Sequence, residues 1–213
     1  MKITNQYVYG LEFAERVSGF PMRTEFANLE PKEKSEKRMT TLGNAKGGSG
    51  HDCALKGILV NFELEYDMFW TPQLQRYHFI DFVSSSSSMH KAKLGVKFNS
   101  RVDERNIIVA NEYIAKYNEN PNEDTLEDML SNLPQGVLKF AGMTTNYLQL
   151  KSIYNQRWNH KTIVWKKFCA WCESLPKFVD YCLGGERKFT NKNGMPINKK
   201  YYWNYEKENN YGN

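Results

Sequence analysis

The chain has 213 residues, 40% of them hydrophobic and 14% aromatic, with a formal net charge of +5. Length and composition fit one globular domain with a real core and exclude an intrinsically disordered chain. The modest positive charge favours anionic partners in general, without choosing among nucleotide, nucleic acid and membrane surface.

No apolar run approaches the roughly 18 residues that a spanning helix needs. The start, Met1-Lys2-Ile3-Thr4-Asn5-Gln6, lacks the apolar core of a signal peptide. The expectation is a protein of the cytoplasm of its cell or host, with its four cysteines as thiols and no membrane partner.

Residues 23–50 are polar and end in Gly47-Gly48-Ser49-Gly50, which reads as a short helix or mobile loop followed by a hinge. No Gly-Lys-Ser/Thr follows, so it is not a phosphate loop. From Ile58, apolar Val60, Phe62, Leu64 and Tyr66 alternate with Asn61, Glu63 and Glu65, predicting a half-buried strand. Thr71-Pro72 reads as an N-cap with proline at the first helical position, predicting a helix from Pro72 to about Phe82. Gln73, Arg76, Tyr77 and Ile80 would share one face of it. The run Ser84 to Ser88 then reads as a loop rich in hydrogen-bonding groups.

Leu94 to Phe98 is a candidate second strand. Helices are expected over Asp103 to Tyr117, Asp124 to Leu133, Thr145 to Arg157 and His160 to Ser174. In the third of these, Asn146, Leu150, Ile153 and Arg157 line one stripe. The domain is expected over residues 1–186. Residues 187–213 read as a polar, basic, aromatic appendage with a hairpin around Asn193-Gly194 and a loose end. No internal repeat is present. Cys169-Ala-Trp-Cys172 is half of a four-ligand zinc site at most, and lies too late in its helix for a redox pair; it reads as buried and inert.

Three separated segments, in order, resemble the flavin-dependent thymidylate synthase family. Gly50-His51-Asp52 resembles the family's Gly-His-Glu. Gln73-Leu-Gln-Arg76-Tyr77-His78 with the serine run resembles its Arg-His-Arg…Ser signature, with a glutamine three residues ahead. Thr144-Thr145-Asn146 through Arg157, preceded by Leu133-Pro134, resembles the helix on which an asparagine and an arginine face flavin and substrate. Arg16-Val17-Ser18 is a weaker echo. The chain also looks like a phage-encoded branch. It departs from the family at Tyr77 (for histidine) and His78 (for arginine). The signature glutamate falls near Ser84, its last arginine at Ser88 or His90, and a phosphate-binding arginine at Phe140, beside Lys139. Two further flavin contacts appear as Leu148 and Ser152.

The resemblance implies an α+β fold, an antiparallel sheet packed with helices, assembled as a homotetramer with FAD held between subunits. It implies a dUMP-like pyrimidine nucleotide as substrate, with NADPH and methylenetetrahydrofolate as co-substrates. Arg157 and Arg76 would act in catalysis. His51, Arg76, Tyr77, His78, Asn146 and Ser152 would hold the flavin. Gln73, Ser86, Ser87, Ser88, His90, Lys139 and Arg157 would hold the nucleotide. Arginine suits the task, because it stays charged and offers a planar fork of donors to carbonyl and phosphate oxygens.

Each residue also has an ordinary reading: surface arginines, a mobile serine loop, an exposed loop histidine, an asparagine that begins a helix. Three functions stay open. One is a flavin-dependent pyrimidine-nucleotide methyltransferase. Another is a catalytically inactive relative that binds a nucleotide or a host protein, to counter host defence. The third is a nucleic-acid binder using Lys199-Lys200-Tyr201-Tyr202-Trp203; packing is the preferred role for that tail.

Overall fold

A computed structural model of the chain describes residues 1–25, 30–92 and 94–203. The last ten residues of the basic tail, and part of the polar stretch before residue 50, lie outside them.

Four antiparallel strands form one sheet in the order β1-β2-β4-β3: β1 Lys2–Tyr9, β2 Leu59–Asp67, β3 Asp81–Ser85 and β4 Leu138–Asn146. The expected alternation sets β2. Val60, Phe62, Leu64 and Tyr66 are buried, and pair in register with Thr145, Met143, Ala141 and Lys139 of β4. Residues directly opposite across an antiparallel pair share a face, so this side of the sheet carries the core.

Nine α-helices lie among the described residues: α1 Leu11–Val17, α2 Lys32–Gly43, α3 Thr71–Leu74, α4 Ser88–Ala92, α5 Glu104–Glu119, α6 Glu123–Ser131, α7 Tyr147–Arg157, α8 Ile163–Ser174 and α9 Phe178–Cys182. Phe62 meets Trp171 of α8 with ring centroids 4.5 Å apart, and Phe168 meets the same indole at 5.1 Å. Aromatic contacts of this kind supply burial plus about 0.5–1.5 kcal/mol each. A second, smaller core of Ala110, Ile114, Tyr117, Met129, Leu133 and Val137 joins α5 to α6. The opposite face of the sheet is open, with Leu59 49% and Phe140 53% exposed beside Tyr7 and Tyr9.

The antiparallel sheet packed with helices is as expected, but three local readings are corrected. The helix from Pro72 stops at Leu74, and Trp70 rather than Thr71 takes the N-cap position. Phe79-Ile80-Asp81-Phe82-Val83 is aromatic and β-branched, and β4 offers it an open edge. Thr145 Oγ1 donates to the Phe79 carbonyl at 2.7 Å, and β3 follows. Part of the serine run is therefore strand rather than loop. The second correction is β4 itself, most of which was assigned no element and whose end was read as the start of a helix. Leu94 to Phe98 forms no strand; Phe98 makes a single bridge to Val137.

The hairpin around Asn193-Gly194 forms, with Thr190 bridging Pro196. Glu173 of α8 is 1% exposed and holds this segment. Its carboxylate accepts the backbone N–H groups of Lys188 (2.8 Å), Phe189 (3.0 Å) and Thr190 (2.8 Å), and the Tyr154 hydroxyl at 2.6 Å. Phe189 packs between Tyr154 and Tyr201, and Trp203 joins the main core. Cys169 and Cys172 are free and fully buried, and burial pushes both thiols well above their ordinary range.

Candidate functional site

Asn146 ends β4 and begins α7. Its Oδ1 accepts the Gln149 N–H at 3.0 Å, so it is the N-cap of that helix. Leu150 and Ile153 are fully buried beneath it. This anchors α7 along the sheet and delivers Arg157 at its last turn, where a cation also complements the helix dipole.

Arg157 is half-buried between two rings. Its Nε donates to the Tyr77 hydroxyl at 2.5 Å. Its guanidinium carbon lies 5.5 Å from the Tyr77 ring centroid and 4.8 Å from that of Trp165. The two rings meet edge to face at 5.7 Å. Tyr77 Oη donates in turn to Gln156 Oε1 at 3.3 Å. Gln73 Oε1 accepts the Trp165 indole N–H at 2.8 Å. Gln73, Tyr77 and Arg157 are thus brought to one cluster, with Trp165 as its hub. The turn after α3 makes this happen, since Tyr77 N–H donates back to the Leu74 carbonyl at 3.1 Å.

His160 stands at the edge of this cluster, its ring 6.3 Å from Trp165. Burial, and then the charge of Arg157, lower its pKa below the usual value. Trp165, Gln156 and His160 were not read as site residues from the sequence. The only signal for His160 was its place three residues beyond the arginine.

The other expected residues are placed separately. Arg76 and His78 flank the buried Tyr77 and are exposed. His51 is exposed at the start of the 3₁₀ turn His51–Gly57. Its neighbour Asp52 is buried, accepting from Lys151 Nζ at 2.7 Å, and Lys151 also donates to the carbonyls of Gly43 and Ala45. That buried pair fixes the His51 turn beside α7.

Ser86 extends the β3 ladder: its N–H donates to the Phe140 carbonyl at 2.8 Å, and its hydroxyl accepts the Phe140 N–H at 3.1 Å. Ser87 accepts from His90 N–H at 3.5 Å, Ser88 begins α4, and His90 is exposed. Ser152 is exposed and accepts from Gln156 Nε2 at 3.1 Å. Lys139 pairs with Tyr66, half-buried on the helix-covered face.

Among the described residues, no cluster of histidine, cysteine and carboxylate side chains suits a metal ion, and no helix is long and apolar enough to cross a membrane.

No protein-family model and no curated protein matches the sequence. Solved structures do match the fold. A crystal structure of the flavin-dependent thymidylate synthase ThyX from Helicobacter pylori, complexed with FAD and dUMP, superposes with a TM-score of 0.70 at 14% identity, covering 87% of this chain and 99% of that one. A second structure of the same enzyme with FAD and dUMP gives 0.68 at 15% identity, over 87% and 98%. Sheet order, helix packing and these superpositions agree: the chain has the fold of the flavin-dependent thymidylate synthases.

Proposed function

We propose that the chain binds a dUMP-like pyrimidine nucleotide and acts with FAD as a divergent pyrimidine-nucleotide methyltransferase. The observation that carries this reading is Arg157, delivered by α7 to a half-buried position between Tyr77 and Trp165, with Gln73 in the same cluster. A guanidinium in such a setting is suited to the carbonyl edge of a pyrimidine or to its phosphate.

The residues present fit FAD. Arg76, His78 and His51 are exposed, and their donors are available to a pyrophosphate or a flavin ring. When bound, FAD would supply the hydride chemistry. In this reading Arg157 orients the pyrimidine, Gln73 fixes the indole behind it, and Arg76 and Lys139 hold anionic groups. NADPH and methylenetetrahydrofolate would be the co-substrates. The open sheet face, with Leu59, Phe140, Tyr7 and Tyr9 exposed, suits contact with further copies in a homotetramer.

The second reading is a nucleotide-binding relative that does no chemistry. It is favoured by the Tyr77 hydroxyl, which stands where the family has a histidine and already occupies Arg157. An absorbance spectrum of the purified protein with added FAD, calorimetry with dUMP, and growth of a thymidine auxotroph test both. The methyltransferase reading expects a flavin spectrum and thymidine-independent growth. A colourless protein that binds dUMP and fails to support growth selects the second reading. Absence of dUMP binding ends both.

A further inference from the structure

A cleft of about 1040 Å³ opens at the Asp67 and Leu138 end of the sheet, between the start of α8 and residues 199–203. None of the residues assigned above to pyrimidine or flavin lines it. Its volume is that of a small-molecule site.

Its wall is cationic, with six Lys or Arg against two carboxylates. One of the carboxylates, Glu65, already has Lys2 at 3.8 Å. Lys161, Lys199, Lys200 and Arg101 are exposed.

The first turn of α8, a helix of 12 residues, also faces the cleft. Its N-cap Thr162 gives no side-chain cap to the helix, and its hydroxyl lies 2.8 Å from His160 Nδ1. The first N–H groups of α8 are thus left for another acceptor, as an anion site requires.

A second observation points to something other than a bare anion. Asp67 lines the same cleft and is 4% exposed. Its Oδ2 accepts from Asn99 at 2.8 Å, while its Oδ1 has no hydrogen-bond partner among the described residues. Burial raises the Asp67 pKa, opposed by the Asn99 bond, then by the charge of the chain's N-terminus and by the Asp67 and Trp70 backbone N–H groups. Oδ1 is thus the one oxygen of this carboxylate without a well-formed hydrogen bond, and a ligand bearing a donor would complete it. Beside it, Phe69 presents a partly exposed ring.

We propose that this cleft binds a nucleotide whose base carries an exocyclic amino group. Its phosphate meets the α8 N-terminus with Lys161, Lys199 and Lys200, its base lies against Phe69, and its amine donates to Asp67. Phosphate alone has no use for a buried carboxylate. Uracil presents an N–H flanked on both sides by carbonyl oxygens, which a carboxylate repels. Adenine, cytosine and guanine present an amine instead. The site is therefore complementary to a different base from the one assigned to Arg157.

Calorimetry on the full chain, first saturated with dUMP to fill the Arg157 site and then titrated with AMP, CMP, GMP, UMP and IMP, tests this. At least one amino-bearing nucleotide should bind ten times more tightly than UMP, and GMP more tightly than IMP if guanine is the base. Lys199→Ala/Lys200→Ala, at two exposed positions, should weaken binding at least tenfold, Asp67→Asn should erase the base preference, and Arg157→Ala should leave binding unchanged. Single-stranded dC12 and dT12 distinguish the source: tighter binding of dC12 than of CMP assigns the base to a strand, weaker binding to free nucleotide, and either supports the site. No binding at millimolar concentration, equal affinity for UMP, an unaffected lysine double variant, or loss of binding in Arg157→Ala overturns the proposal.

Discussion

The guanidinium of Arg157 is held by the hydroxyl of Tyr77, at 2.5 Å. Any ligand that uses Arg157 must share it with Tyr77 or displace it. A hydrogen bond to a charged group contributes about 1.5–3 kcal/mol. Tyr77→Phe should therefore release the arginine and tighten dUMP at least tenfold by calorimetry. Arg157→Ala should weaken it at least tenfold. Weaker binding in Tyr77→Phe would mean that the phenol itself touches the ligand.

His160 reports on the same arginine. Burial first, and then the charge of Arg157, lower its pKa below 6.5. The folded protein thus binds this proton less readily than the unfolded chain. The linked stability is fully present above the unfolded pKa and is lost as pH falls through it toward the lower folded value. An NMR titration of the imidazole should give a midpoint below 6.5, moving upward in Arg157→Ala because one opposing charge is gone. A downward move would contradict the assigned cause.

Glu173 is the most heavily engaged carboxylate among the described residues, accepting from three successive backbone N–H groups and two hydroxyls. Glu173→Gln keeps the shape but replaces one acceptor oxygen by a donor facing other donors. The expected cost is about 2–4 kcal/mol. For a chain of this length that lowers Tm by about 5–15 °C, measured by calorimetry. Proteolysis within residues 187–203 should accelerate in parallel.

Thiol accessibility is equally checkable. Cys53 is exposed, whereas Cys169, Cys172 and Cys182 are buried with their thiols pushed up by desolvation. An alkylating reagent should label Cys53 alone in the native protein, read by intact mass, and all four only in denaturant.

The sequence revealed most where the local pattern and the tertiary role coincide. The alternation from Val60 to Tyr66 is visible because β2 has one covered and one open face. Helices α5 and α6 are visible because Asp103 and Asn122 cap them as local rules require. The segment from Pro72 to Ser85 misled, since Thr-Pro announces a helix that lasts four residues before pairing with β4 takes over. Strand β4 was hidden because Gly142 and the polar Thr144 interrupt its apolar pattern, and its partners lie about 80 residues upstream and 60 upstream.

In the candidate site, the stripe of Leu150, Ile153 and Arg157 was legible from helical spacing, whereas Asn146, expected on the same stripe, is the extended N-cap of α7. That Trp165 backs Arg157 was not, because the chain turns between α7 and α8, and helical periodicity does not carry across that turn.

The anchoring of residues 188–190 on Glu173 also orders assembly in time. Until those amides arrive, the Glu173 carboxylate near the end of α8 lacks most of the donors that hold it in the folded chain. Nascent chains halted before Lys188 would leave this buried carboxylate without its amide partners and be favoured targets for chaperones and proteases.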